Sequence, residues 1–555
     1  MTRTLATGDA APERRVPVLI VGGGPVGLAL AAELGWRGIA CELIEQGDGA
    51  IATPKMNEVN TRTMEFCRRW GIAEAVESCP FPADWPMDVV FVTSLAGHEL
   101  GRVERLPRRL QKPGPASPMH LEVCAQTWFD PILRRFADSF PCVRLRYGCR
   151  LESFSQDGAG VAADIVDLTT GRRERVAALF LAACDGANSA VRRSLGIGLG
   201  GPGILGHPAH LFFRAPGLLE QCGKAPGTFF VAIDRDGLWA NLRIIDPAAG
   251  LWRLMVLETD GTLTPETVDR MAYLRRGLGR AIEVEWHGVS VWTRMGAVAE
   301  RYQHGRVFLL GDAVHQLSPT AALGMNTGIG DAVDLGWKLA AVLEGWGGAG
   351  LLASYDAERR PVGWRNVGKS TEFHREQTAF TAGLEAIDDA GPEGEALRAR
   401  LGPAVRGLGR TFRTLGLQLG YRYDDSPICV ADGSTAPPDD PETYTPSARP
   451  GARAPHAFIA EGRSTLDLFG RDFVLLRLGR DAPAGAVLEA AAASRRVPLR
   501  VVTLHEPALG ALYECRLVLV RPDGHVAWRG DAEPDDAVAV IDRVRGAASA
   551  SPATA

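Results

Sequence analysis

The stretch VLIVGGGPVGLALAAEL, residues 18–34, constrains the fold of this chain more than any other feature. The apolar run Val16–Val21 reads as a buried strand, Pro25–Trp36 as a helix and Ile39–Glu45 as a second strand. That is the opening of a βαβ unit, and hence of a parallel sheet. Between strand and helix lie Gly22, Gly24 and Gly27 in the pattern Gly-x-Gly-x-x-Gly, with Pro25 at the start of the helix. Glycines there permit a tight turn and a close backbone approach to a pyrophosphate. The helix N-terminus adds N–H donors and a partial positive charge. Glu45 ends the second strand, where an acid accepts from ribose hydroxyls. The bare pattern also occurs at 196/198/201, 198/200/203, 201/203/206 and 345/347/350. None of these follows a convincing strand and opens a helix.

With 555 residues, 46% of them hydrophobic, the chain can bury several cores in two or three domains. A net charge of -5 leaves no basic excess to neutralise phosphates, so nucleic acid is not an expected partner. Small molecules are. Ten cysteines are scattered with no CxxC pair. They read as reduced thiols of a cytoplasmic protein, with no metal site and no redox disulfide. The first 15 residues lack an apolar core and read as a disordered leader. No apolar run reaches the roughly 20 residues needed to cross a membrane.

Runs such as HLFFRAP, GTFFVAI, LWANLRII and LWRLMVLE mark residues 201–297 as a mostly antiparallel sheet. The sequence divides as a first part of the nucleotide-binding unit over 16–200, with an excursion near 80–120, and a second part over 298–360. A helical region follows over 361–430, then a Pro- and Asp-rich linker over 431–455. An α/β unit over 456–545 carries a hairpin signal at Pro522–Gly524, before a disordered tail, 546–555.

Two further motifs resemble the first in form. Leu179–Cys184 delivers Asp185-Gly186 to a strand end, followed by a helix with Arg192 and Arg193. Val307–Leu310 delivers Gly311-Asp312, then a loop from Pro319 through Gly324, Met325 and Asn326 into a helix. Asp312 can accept from a polyol hydroxyl. The helix start near Gly324–Asn326 favours negative charge.

In this order the three motifs, over about 16–360, resemble the single-component FAD-dependent aromatic hydroxylases, the class A flavoprotein monooxygenases. The resemblance implies that the first motif binds the ADP half of FAD and that Asp185-Gly186 lies near the pyrophosphate. It also implies that Gly311-Asp312 holds the ribitol and that Gln126 contacts FAD. The helix start at Gly324–Asn326 would face the flavin pyrimidine. Gln46 stands where the family often has arginine after the acid, and Lys55 where arginine is common; lysine keeps the charge without the bidentate geometry. Ala321-Ala322-Leu323 replaces a loop that usually carries Gly-Gly or Gly-Gln. The C-terminal unit resembles the thioredoxin-like domain of phenol and polyketide hydroxylases. It holds one cysteine, Cys515, and is expected to be structural.

The fold class is therefore α/β: a Rossmann-like FAD-binding domain, an antiparallel substrate sheet, a helical segment and a thioredoxin-like end. The implied reaction is hydroxylation of a small phenol-like aromatic with NADH or NADPH and O2, through a flavin C4a-hydroperoxide. Oxidation of a polyketide, by hydroxylation or Baeyer–Villiger insertion, is the near alternative; a non-catalytic FAD-binding protein is the distant one. A disulfide reductase would need a cysteine pair near a glycine motif, and none stands there. Trp292 and Arg294 are candidate substrate contacts, against packing and a solvated strand end. His315 reads as a loop hydrogen-bonder and Trp286 as packing. No residue is singled out as the catalytic base. A homodimer is compatible with the sequence.

Overall fold

The computed structural model describes residues 14–259, 261–379 and 383–547. All but the edges of the expected leader and tail lie outside these residues. The first strand runs Arg14–Val21, two residues earlier than the sequence predicts. Arg14 and Arg15 join the sheet because Arg14 is an ion-pair partner of Glu42 on the neighbouring strand.

The central sheet runs in the order Val307–Leu309, Arg173–Ala183, Arg14–Val21, Cys41–Glu45, Val143–Tyr147, each parallel to its neighbour. Register aligns Val21 with Ala183 and with Ile44, and Ala183 with Leu309. All three motifs and Glu45 therefore emerge at one carboxyl edge, where α/β sheets bind ligands. The helix Pro25–Trp36 crosses the helix Gly324–Leu343 closely. A Cβ on Gly328 would stand 2.5 Å from Val26 Cγ2, and one on Gly336 would stand 2.5 Å from Glu33 Cγ. Those glycines let the two helices meet.

A seven-stranded sheet carries Glu285–Val291, Ala209–Arg214, Leu251–Val256, Gly237–Asp246, Phe229–Asp234, Val89–Val92 and Glu99–Val103 in that order. Only the pair Phe229–Asp234 and Val89–Val92 is parallel. The excursion near 80–120 thus extends the antiparallel sheet. Helices Ser354–Thr378 and Pro392–Leu408 follow. Residues 431–455 form neither helix nor strand, yet Ala448, Arg453 and Ala454 are buried. The C-terminal sheet orders Leu499–Leu504, Phe473–Leu478, Leu517–Val520 and Val526–Gly530, parallel across the first pair and antiparallel across the others. The hairpin sits where the Pro522–Gly524 signal places it. Among the described residues no helix is long and apolar enough to cross a membrane, and no group of His, Cys, Asp and Glu could hold a metal ion.

Candidate functional site

Gly22 takes φ +109°, and a Cβ there would stand 2.3 Å from the Cys184 carbonyl oxygen. A Cβ on Gly27 would stand 2.0 Å from the Gly22 carbonyl oxygen. Both glycines are thus required by backbone against backbone. Gly24 differs: nothing lies within 4 Å of where its Cβ would be, so it faces open space at the helix start. Glu45 accepts from the Gly23 and Gly47 amides, each at 2.7 Å, which fixes its carboxylate beside the turn. Gln46 is exposed.

Asp185 accepts from the Val191 amide at 3.1 Å, and its other oxygen is buried without a partner. Arg192 donates to the Ala313 carbonyl at 2.8 Å, and Gln316 to that of Ala187 at 2.8 Å. The second and third motifs are tied together by these bonds.

Asp312 is exposed at the rim. Surrounding protein pushes its carboxyl pKa up, and the charges of His315 and Lys55 pull it back. Behind the loop, Asp331 accepts from the Gly311 amide at 3.1 Å, from His315 at 2.7 Å and from Arg359 at 2.7 Å. Burial would raise Asp331, but His315 and Arg359 outweigh it and hold the carboxyl below its usual range. His315 is fully buried and serves this network, as a loop hydrogen-bonder should.

The exposed Lys55 donates its amide to Gln126 at 3.0 Å, and Gln126 donates to Asp130 at 3.0 Å. Asn326 is engaged on both sides. Its oxygen accepts from the Asn60 amide and the Thr63 hydroxyl; its nitrogen donates to the carbonyls of Glu58 and Ala322. The helix start therefore offers a ligand its backbone rather than that side chain, and Gly324 leaves it open. Pro319 is exposed and Met325 half-buried. Ala321 and Ala322 adopt φ 70° and 52°. Left-handed backbone costs a residue with a Cβ about 1–2 kcal/mol, so these alanines strain the loop where the family commonly has glycine. Ala322→Gly is expected to raise thermal stability by ~1 kcal/mol, read as a higher melting temperature.

The antiparallel sheet turns a polar face toward this edge. Arg243 pairs with Glu58 at 2.9 Å, the residue whose carbonyl holds Asn326. Arg253 lies across from Arg243 and Phe212 in the register and makes no ion pair among the described residues. Burial, then Arg243, bring its pKa down to about 9. His210 meets Trp292 edge-on at 5.5 Å, and the Nε2 of the one and Nε1 of the other are buried without partners. Burial, then Arg253 and Arg294, hold His210 neutral. Arg294 is only 1% exposed, which removes the solvated strand-end reading; it stands 3.0 Å from His374 and 5.8 Å from the Trp292 ring. Sequence reasoning missed His210, Arg243, Arg253 and His374. The first three had a signal: a polar residue inside each apolar strand.

The residues fit FAD. A cradle open at Gly24, an orphaned Asp185 oxygen and an exposed Asp312 line the edge between the glycine turn and the helix start. A pyrophosphate suits the first helix and a ribitol suits Asp312. Asp312→Ala is expected to weaken FAD binding roughly ten- to over a hundred-fold, the worth of a charge-assisted hydrogen bond, by titration of the apoprotein.

Comparison with known proteins agrees. Residues 15–370 match the family described as FAD binding domain, and 447–548 match that described as aromatic-ring hydroxylase, C-terminal. The chain is 34% identical to tetracenomycin B2 monooxygenase-dioxygenase of Streptomyces olivaceus, over 95% of this chain and 98% of that one. It is 32% identical to 4-methyl-5-nitrocatechol 5-monooxygenase of a Burkholderia species, over 98% and 99%. Among solved structures, RebC with bound 7-carboxy-K252c superposes with a TM-score of 0.90 at 40% identity, over 97% of this chain and 100% of that one.

Proposed function

The chain belongs to the FAD-dependent aromatic-ring hydroxylases, which are NAD(P)H-dependent flavoprotein monooxygenases, and from that premise we propose that its substrate is an anionic aromatic compound, a phenolate or aromatic acid. The observation that carries this reading is the buried guanidinium of Arg253, which has no close ion pair of its own and shares the Glu58 carboxylate with Arg243, on the sheet face that reaches the loop through Arg243, Glu58 and Asn326. Two buried guanidinium groups on one carboxylate leave an excess positive charge that is costly to bury, and a bound anion offsets it. Trp292 and Arg294 support the same place, one with a ring face and the other with charge. Relatives bearing tetracenomycin, a nitrocatechol and 7-carboxy-K252c in their names fit such a substrate.

FAD, when bound, draws electrons from NAD(P)H and activates O2. The chain does the rest. Asp312, Glu45 and the helix start of Pro25–Trp36 would hold the cofactor, with Lys55 and Gln126 near them. The amides at Gly324–Asn326 favour negative charge at the pyrimidine end. The sheet excludes water from the face where the aromatic lies, and its arginines keep an acidic hydroxyl ionised, which makes the ring a better nucleophile. The unpaired cysteines fit a reducing, cytoplasmic setting.

The test pairs phenols and aromatic acids with their methyl ethers and esters. Stimulated NAD(P)H oxidation and product gaining one oxygen atom are expected for the anions. Equal stimulation by the neutral partners would overturn the assignment, and product NMR separates ring hydroxylation from insertion beside a carbonyl.

A further inference from the structure

The loop that carries Asp312 is held by groups other than Asp312. Gly311 takes φ +62°, and a Cβ there would stand 3.0 Å from Val26 Cγ2, in the first turn of the helix Pro25–Trp36. Gly328 closes in from the helix Gly324–Leu343, where its own Cβ would stand 3.1 Å from the Gly311 Cα. The chain is then tied on both sides of Asp312 to one carboxylate. The Gly311 amide donates to Asp331 Oδ2 at 3.1 Å, and His315 Nε2 donates to the same oxygen at 2.7 Å. The Ala313 carbonyl accepts from Arg192 and the Gln316 amide donates to Ala187, each at 2.8 Å. Of the polar side chains between 311 and 316, that of Asp312 alone makes no hydrogen bond or ion pair among the described residues, and it is exposed.

We propose that Asp331 is a positioning residue for FAD: by holding the loop at Gly311 and at His315, it aims the Asp312 carboxylate at the ribitol. Asp331 is fully buried, 20 positions along the chain from Gly311. It is itself held. Arg359 Nε donates to its other oxygen, Oδ1, at 2.7 Å, and the same guanidinium donates to the Thr327 carbonyl at 3.0 Å. A ligand group placed on a loop is only as well aimed as the hydrogen bonds behind it, and here those bonds end on one side chain.

The chemistry of the position is narrow. Three N–H donors, from Gly311, His315 and Arg359, converge on Asp331. An ionised carboxylate accepts from all three and brings no donor of its own. Asparagine has the same size but turns an N–H toward one of its two sides. Either the pair from Gly311 and His315 or the bond from Arg359 is then lost. The two ends of the loop are no longer held together against a fixed group, and Asp312 is left on a looser stretch of chain. This role does not depend on which aromatic is the substrate.

The experiment titrates FAD and, separately, ADP into the full chain stripped of flavin. ADP can occupy the glycine turn but lacks the ribitol, so it reports whether the rest of the cofactor edge is intact. Asp331→Asn is expected to bind FAD at least about tenfold more weakly, with ADP affinity within about twofold of wild type. In the Asp312→Ala background the same substitution should add less than about threefold, because the group it aims is gone. His315→Leu should weaken FAD several-fold, and His315→Gln, whose amide N–H can donate in place of the ring, should restore it. That second pair of variants gives the same comparison if Asp331→Asn does not fold. Wild-type FAD affinity in Asp331→Asn, equal losses of FAD and ADP, or a full additional loss in the Asp312→Ala background would overturn the proposal. Equal FAD affinity in His315→Leu and His315→Gln would do the same.

Discussion

Gly27→Ala is expected to yield a colourless protein that does not recover FAD on reconstitution. The new Cβ would stand 2.0 Å from the Gly22 carbonyl oxygen. No side-chain rotation relieves that contact, because both partners are backbone. The turn must open, and Gly22, already held 2.8 Å by its amide to the Ile44 carbonyl, must leave its place in the sheet edge. Overpacking of this kind costs about 1–3 kcal/mol or more, and since each 1.4 kcal/mol is tenfold, a cost at the upper end corresponds to an affinity loss of at least roughly a hundred-fold. Gly24→Ala separates geometry from stability. Its Cβ meets nothing in the protein and projects into the cradle. That variant should match the wild-type apoprotein in thermal melting and still lose FAD. Flavin released per chain on denaturation, with melting curves of both apoproteins, decides the matter. Retention of one FAD per chain by either variant would mean that the pyrophosphate does not sit at this turn.

Arg521→Met is expected to cost about 3–5 kcal/mol of stability, the penalty for stranding buried charge. Arg521 lies on the C-terminal hairpin and is fully buried. It donates to Glu358 at 2.5 and 2.9 Å, to Asp334 at 3.2 Å and to Asp523 at 2.7 Å. Lys338 bridges Asp334 and Glu358 from the other side, at 2.7 and 2.6 Å. Next along the same two helices stand Asp331, which holds the Gly311 amide, and Arg359, which holds Asp331. The hairpin therefore braces the helices that carry the cofactor loop. A pH signature accompanies the loss. Burial raises the Asp334 carboxyl to about 7, while Arg521 and Lys338, working against burial, hold Glu358 down near about 2. The folded Asp334 thus binds a proton that the unfolded one has lost, and its contribution weakens as pH rises from about 4 to about 7. Glu358 contributes above its unfolded value, and that contribution is lost as pH falls from about 4.5 through 2. Without Arg521 both carboxylates favour the protonated form. The deficit relative to wild type should therefore be smaller at pH 5 than at pH 8, by urea melts at each pH. A deficit that does not change with pH would show that the lost guanidinium acts by packing alone.

Local periodicity and spacing carry the glycine turn, the two strand-end acids and the hairpin, because each is set within a few residues. The first helix, Pro25–Trp36, has the bounds that its apolar pattern gives it. What sequence reasoning missed is long-range. Arg253 is one polar residue in LWRLMVLE, and only the register across from Arg243 brings it near Glu58. Arg521 and Glu358 are 163 positions apart, and no local pattern pairs them. The helix start at Gly324–Asn326 is legible as a place for backbone donors, but that the Asn326 side chain clamps the loop to Glu58, Asn60 and Thr63 is set by the fold. The sequence leaves Arg294 open between substrate and solvent, and its burial excludes solvent. Ala321 and Ala322 depart from a glycine loop in the sequence, but their positive φ is set by the fold.

The most direct test of the flavin-dependent hydroxylation uses isotopically labelled dioxygen. Holoenzyme, NAD(P)H and an anionic aromatic that stimulates NAD(P)H oxidation are incubated under labelled O2 in ordinary water, and the product is examined by mass spectrometry. One labelled oxygen atom per molecule of product, on the ring, is the expected result. Product whose new oxygen comes from water, or NAD(P)H consumption that yields hydrogen peroxide alone with every anionic aromatic, would contradict it.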